Sequence, residues 1–179
     1  RKNIDVAYAG DIIGLFDPGI FSIGDTLSED DMSVVYEGIP SFSPEIFARV
    51  HVSNSMKRKQ FLKGVNQIAQ EGAIQIFQDP GKGMEEVIVG VVGVLQLDVL
   101  LYRLNHEYNI DVRLENLPYE YIRWIDTEDL DTSSLIITSD TRVVEDLKGN
   151  KLLLFANEWN INWALDHNKK LILSDFNKN

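Results

Sequence analysis

The stretch EVIVGVVGVLQLDVLLYRLNHEYNIDVRLENLPYEYIRWI, residues 86–125, decides the fold. It opens with β-branched residues and glycine. Val87, Ile88, Val89, Val91 and Val92 predict a strand buried on both faces. A helical period follows, with Leu97, Leu100, Leu101, Leu104 and Tyr108 on one apolar stripe. Asn109 comes next, a residue that tolerates the positive φ on which helices often end. Ile110, Val112 and Leu114 then alternate with Asp111, Arg113 and Glu115, the pattern of a strand with one wet face. The unit is β-α-β, and its helix must pack back on the sheet.

Upstream, residues 45–52 alternate, with Ile46, Ala48, Val50 and Val52 on one face of a strand. Ser53-Asn54-Ser55 offers a cap for a helix over residues 56–71, which buries Phe61, Leu62, Val65, Ile68 and Ala69. Lys59, Lys63, Asn66 and Gln70 lie opposite, and Gly72 fits the stop. Residues 73–78 read as a strand with Ile74 and Ile76 inward, joined by the Asp79-Pro80-Gly81-Lys82-Gly83 loop to the strand from Glu86. Residues 45–115 therefore read β-α-β-β-α-β, the order of a ferredoxin-like α+β domain with two helices on one face of an antiparallel sheet.

Downstream, residues 119–125 predict a further strand, with Tyr119, Tyr121 and Arg123 on one face and Ile122 and Trp124 on the other. Residues 126–133 read as an acidic loop or one poor helical turn, and Leu135-Ile136-Ile137 as a short strand. Strands over 142–147 and 151–155 flank a hairpin turn at Lys148-Gly149-Asn150. Asn157 caps a helix to about His167, and Leu171-Ile172-Leu173 closes with a strand. The last 60 or so residues thus read as a second, smaller α/β layer.

Residues 1–40 are short strands cut by turns, with Asp17-Pro18-Gly19 the strongest turn signal and Gly10, Gly14, Gly24 and Gly38 at corners. They are too few for a closed barrel, so the truncated end of a β-barrel domain is expected. Residues 39–44, with Pro40 and Pro44, mark the boundary. The expected division is a barrel remnant over 1–40 and an α+β domain over 41–179. Within the latter, 41–118 is ferredoxin-like and 119–179 is a C-terminal α/β extension.

The chain has 179 residues, 44% of them hydrophobic, enough to bury a sizeable core. It has no cysteine, so disulfides, thiol catalysis and thiolate metal sites are excluded. No apolar run approaches the roughly 20 residues of a membrane span. Arg1-Lys2-Asn3-Ile4-Asp5 turns acidic at once, unlike a signal peptide, and the cytoplasm is the expected location. The chain opens on Arg rather than Met, so a piece of a longer polypeptide is expected. A net charge of −11 argues against coating nucleic acid through the overall field, while leaving room for one basic patch.

Enzyme motifs are missing. No phosphate-binding G-x-x-x-x-G-K-[ST] loop occurs, and Gly90 and Gly93 read as close packing of strand and helix. His51, His106 and His167 fall in separate elements with no carboxylate at ligand spacing on a shared face. Asp98 suits the start of a helix dipole, and Trp159 and Trp163, one turn apart, read as packing residues. The acidic stretch 111–146 lacks the spacing of a calcium loop. One cluster stands apart. Lys57, Arg58, Lys59 and Lys63 crowd the first turns of a helix, where the dipole disfavours exposed cations by about 0.3–1 kcal/mol each. A helix start with added Lys and Arg suits an anion such as a phosphate backbone, and these four are the candidate contact. The alternative, solvated lysines that keep the helix soluble, stays open.

Gly93-Val94-Leu95-Gln96-Leu97-Asp98, followed by Arg103-Leu104 and Glu107-Tyr108-Asn109, resembles the third domain of translational GTPases of the elongation factor G type. There the segment carries a Gly-Glu-Leu-His pattern, and Val94 and Gln96 stand in place of its Glu and His. That variant is similar to the bacterial peptide-chain release factor three family. So are Ile39-Pro40-Ser41-Phe42-Ser43-Pro44-Glu45, Lys59-Gln60-Phe61-Leu62-Lys63-Gly64, Glu71-Gly72-Ala73 and Val89-Gly90-Val91-Val92-Gly93. Ala9-Gly10-Asp11-Ile12-Ile13-Gly14-Leu15 and Ile23-Gly24-Asp25-Thr26-Leu27 look like the end of that family's β-barrel second domain. The likeness is close over residues 8–124 and loose over 126–179.

The resemblance implies a factor that binds the terminating ribosome and, using GTP, promotes departure of the class I release factor that read the stop codon. It implies a GTPase domain upstream of Arg1, holding GTP and magnesium, and a non-catalytic chain here with no cofactor, metal or catalytic residue of its own. Small-subunit RNA and protein and the chain's own GTPase domain are the implied partners, with no membrane. Gln96 and the Pro40 and Pro44 linker argue against elongation factor G itself or a ribosomal protection protein. Ser53-Asn54-Ser55 followed by Arg58 is a thin echo of an acylphosphatase-type enzyme, and a ligand-sensing regulatory domain shares the same fold. Fold alone does not choose among these.

Overall fold

A computed structural model describes residues 3–21, 24–29, 42–80 and 83–175. The chain falls into two compact units, Arg1–Ile39 and Pro40–Asn179. In the first unit no strand occurs among the described residues, contrary to the expected barrel strands. A strand needs a hydrogen-bonded partner, and alternation in one segment does not supply one. Its apolar side chains are bare: Ile12, Phe16 and Tyr8 are all exposed. The turn at Asp17 does form, with its Oδ1 accepting from the N–H groups of Gly19 and Ile20 at 2.8 and 2.9 Å. Gly19 takes the positive φ, +94°, that such a turn needs. The strand expected over 32–40 and the start of the proline linker lie outside the described residues.

The second unit runs β1 (Ile46–Val52), a 3₁₀ turn (Ser55–Lys57), α1 (Arg58–Gln70), β2 (Gln75–Asp79), β3 (Gly83–Val91), α2 (Val94–Tyr108) and β4 (Val112–Leu117). It continues with β5 (Tyr121–Ile125), a second 3₁₀ turn (Thr132–Ser134), β6 (Thr141–Asp146), β7 (Lys151–Phe155), α3 (Glu158–His167) and β8 (Leu173–Ser174). One open sheet of eight strands has the order β4-β1-β3-β2-β6-β7-β5-β8, with every pair antiparallel. The first four strands have the ferredoxin-like order. The last four do not form a separate layer, as the sequence reading expects. They extend the same sheet where β2 meets β6, Phe77 opposite Asp146 and Gln78 opposite Glu145.

Three cores follow from the period-2 alternation of the strands. Ala48, Val50, Ile76, Val87, Val89 and Val91 lie under α1 and α2 with Phe61, Val65, Ile68, Leu97, Leu100 and Leu104. Leu153 and Phe155 lie under α3 with Ala164. The middle core joins Phe47, Phe77 and Ile88 of the first half to Ile122, Trp124, Val144, Leu152 and Leu154 of the second. All are buried, yet no helix among the described elements lies on that face. Strand residues of both halves meet directly in this core. Tyr119 packs against this middle core, so it does not share the face of Tyr121.

Local chemistry fixes the element ends. Asn54 Oδ1 accepts from the Met56 N–H at 3.0 Å, and Gly72 takes φ +76° just past α1. Asn109 closes α2 in the left-handed region at φ +53°, as its side chain permits. Asn157 Oδ1 caps α3 through the Asn160 N–H at 3.1 Å. Gly64 lets the helices meet: a Cβ there would lie 2.9 Å from the Tyr108 ring. Arg103 bridges Glu107 of its own helix and Glu71 at the end of α1. Gly93 does not pack closely, as the sequence reading expects, since nothing lies within 4 Å of a Cβ there. It is the cap residue of α2 in extended backbone. Leu135-Ile136-Ile137 is not a strand. The Asn168 side chain takes both backbone groups of Ile136, accepting at 2.9 Å and donating at 2.7 Å, and so replaces a neighbouring strand.

Gln96 does most to start α2. Its Oε1 accepts from the N–H groups of Val92 and Gly93 at 2.8 and 3.1 Å, and its Nε2 donates to the Ala73 carbonyl at 3.0 Å. Gln96→Ala is expected to cost about 1–2 kcal/mol of stability, read as a shift in urea midpoint. Gln96→Glu keeps the acceptor and loses only the donor, so it should cost less; equal losses would contradict this role.

Candidate nucleic-acid interface

The candidate cations sit where the first helix begins. Lys59 and Lys63 are exposed and one turn apart on the outer face of α1. Lys57 is half-buried, and its ammonium donates to the Asn109 carbonyl at the C-terminus of α2. That position favours a cation, so Lys57 is placed by its neighbour's dipole rather than disfavoured by its own. Asn54 meets the Met56 N–H through its side chain and the Lys57 N–H through its carbonyl, so these donors of the helix start are already used.

Arg58 turns elsewhere. It lines a cleft of about 250 Å³ with Arg49, Val50, His51, Val52, Ser55 and Glu86. Strand pairing builds the cleft's charged wall. β1 lies against β4 with Arg49 opposite Glu115 and His51 opposite Arg113. Residues 47, 49 and 51 therefore share a face with 113, 115 and 117. His51 Nε2 lies 2.6 Å from Glu115 Oε2, and Arg49 Nη1 lies 3.2 Å from the same oxygen. The His51 hydrogen bond, helped by the Arg49 charge, holds the Glu115 carboxyl below its ordinary range against the opposing effect of burial. Spacing along the chain gave His51 no carboxylate on a shared face, and strand pairing supplies one. Cross-strand neighbours are invisible to spacing within one strand.

The comparison with known proteins adds a decisive observation. The family described as class II release factor RF3, C-terminal domain, matches residues 36–165. The chain belongs to the RF3 C-terminal domain family. It is similar to the peptide chain release factor 3 of Symbiobacterium thermophilum, at 47% identity over 172 residues, 96% of this chain and 32% of that protein. To that of Nostoc punctiforme it is 43% identical over 176 residues, 97% of this chain and 32% of the other. To that of Listeria welshimeri it is 42% identical over 174 residues, covering 97% and 33% respectively. The chain spans about a third of the length of the curated relatives it matches. The RF3 match runs on through β5, β6 and β7 into α3, past residue 126 where the sequence likeness reads as loose.

In this RF3 C-terminal domain the remaining candidates find ordinary places, with one exception. His106 and His167 each direct Nδ1 at the carbonyl four residues back, that of Tyr102 at 2.9 Å and of Trp163 at 2.8 Å. Asp98 is exposed on α2. Among the described residues no three His, Asp or Glu side chains are grouped to hold a metal ion. No helix of the described residues is long and apolar enough to cross a membrane. The exception is Trp159, which does not pack in a core as expected but is 62% exposed. Sequence reasoning passed over Arg49 and set His51 aside for want of a carboxylate on its face. The alternation of β1 was their only signal, and it reads equally well as a solvated face.

Proposed function

We propose that this chain is a non-catalytic, ribosome-binding part of a class II peptide-chain release factor. In the whole protein, GTP and magnesium are held by the remainder of the polypeptide, which works in the cytoplasm. GTP-dependent binding to the terminating ribosome promotes departure of the release factor that read the stop codon. The observation that carries this reading is the RF3 match across residues 36–165. We assign the contact with small-subunit ribosomal RNA to the start of α1, with Lys59 and Lys63 on its outer face and Lys57 and Arg58 beside them. Support comes from charge: these four cations cluster within two turns of a chain whose net charge is −11.

The test is co-sedimentation of the full-length protein with bacterial ribosomes across a salt series, beside an Arg58→Glu, Lys59→Glu, Lys63→Glu variant. Lys57 stays, because it ties α1 to α2. The wild type should bind less as salt rises. Every phosphate that the variant no longer neutralises should flatten the log–log salt slope by about 0.7–0.9. Undiminished binding by the variant would discard the α1 site and keep the ribosomal reading. A wild type that fails to pellet at low salt would discard both.

A further inference from the structure

We propose that the outer face of α3 is a second RNA-contacting surface, where an unpaired base stacks on Trp159 at one end of an aromatic ladder and Lys169 and Lys170 meet phosphates at the other. The inference rests on the ribosomal reading above but uses a different surface. Trp159, Trp163 and His167 recur every four residues and share one side of α3, while Asn160 and Ala164 are buried, Ala164 with Leu153 and Phe155 of β7. Trp163 and His167 stack face to face, with centroids 3.9 Å apart and planes 16° apart. Trp159 and Trp163 are 6.5 Å apart and tilted by 39°, so the Trp159 ring is not closed off by its neighbour. Core packing does not account for this arrangement, because Trp159, one of its two tryptophans, stands mostly in water.

An open indole face at one end of a short aromatic ladder, with cations at the other end, is chemistry that suits a stretch of unpaired RNA. Lys169 and Lys170 are both exposed and follow closely on His167. Asn162, exposed one position from Trp163, can donate to and accept from a base edge. The ladder spans about 12 Å along the helix, the length of a stack of about three to four bases. Asp166 and Glu158 are also exposed on this helix and would suit a basic peptide instead. The paired lysines at the ladder's end favour the anionic, flat-ringed partner.

The test uses the full-length protein and fluorescently labelled single-stranded decauridylate and decaadenylate, read by anisotropy. Trp159→Ala should weaken binding by about 5- to 150-fold, the cost of one lost base stack. Trp159→Phe should retain most of the affinity, and Lys169→Ala with Lys170→Ala should flatten the salt slope. The Arg58, Lys59, Lys63 variant should keep its sensitivity to Trp159→Ala, so either surface can fail alone. Equal affinity of wild type and Trp159→Ala would overturn the proposal, as would a wild type that binds neither oligonucleotide. Trp159-dependent binding of a deca-arginine peptide without oligonucleotide binding would make this face a protein-docking surface and overturn it too. Trp159 is exposed, so an unchanged urea midpoint in Trp159→Ala should exclude misfolding as the cause.

Discussion

Phe77→Ala is expected to remove about 3–5 kcal/mol from the unfolding free energy of the second unit. Phe77 is 1% exposed and sits on β2, the strand at which the two halves of the sheet join. Its ring lies 6.1 Å from that of Phe47, and a Cβ built on Gly90 would come within 2.8 Å of it. The site is so closely lined that little can collapse into the void. No helix covers this face, so the loss falls on the packing between the halves themselves. Trp124 belongs to the same core and reports on it by fluorescence during urea unfolding. Phe42→Ala, at a side chain 78% exposed, is the control and should leave the midpoint unchanged. A loss below about 1 kcal/mol for Phe77→Ala would mean the two halves do not close on each other.

Arg142→Met is expected to cost about 2–3 kcal/mol, between the values for exposed and for buried ion pairs that lose one partner. Arg142 on β6 grips Asp79 on β2 with two bonds, Nε to Oδ1 at 2.9 Å and Nη2 to Oδ2 at 2.7 Å. Nη2 also reaches Glu86 Oε2 on β3 at 2.9 Å. These bonds, that to Asp79 foremost, hold the guanidinium well above its ordinary pKa although burial opposes them. The side chains of Arg142 and Asp79 are only 20% and 13% exposed, so Arg142→Met would remove a two-pronged ion pair from a poorly hydrated site. Arg142→Lys keeps the charge but not the planar fork, and should recover only part of the loss. In a double-mutant cycle with Asp79→Asn, a coupling energy near zero would contradict the role of this pair.

The β-α-β-β-α-β half was legible because its apolar residues keep one period at a time. Leu97, Leu100 and Leu104 are buried as the stripe requires, and Asn109 ends the helix where it should. The joining of the two halves through one sheet and one core was not legible. Phe47, Arg49 and His51 alternate on β1 like a solvated face, and only pairing with distant strands reveals that Phe47 is buried while the other two line a charged wall. Leu135-Ile136-Ile137 misled for a different reason: a side chain from residue 168 took the place of a strand. At the candidate RNA site, charge density alone found the cluster. It could not show that Lys57 is held by the end of α2, nor that Arg58 shares a cleft with His51.

The joint between β2 and β6 also bears on how the protein is made. Synthesis runs from the N-terminus, so the four strands and two helices of the first half leave the ribosome before β6 and β7 do. At that moment the helices can already cover one side, but Phe77, Phe47 and Ile88 lack their partners from the second half. A nascent chain stopped at residue 118 would carry a sticky, half-finished sheet with a free edge at β2, open to pairing with another chain. Completion therefore waits for the late arrival of Leu152 and Leu154. The segment nearest the C-terminus, which looks from sequence like an appendage, is what makes the earlier half safe to release.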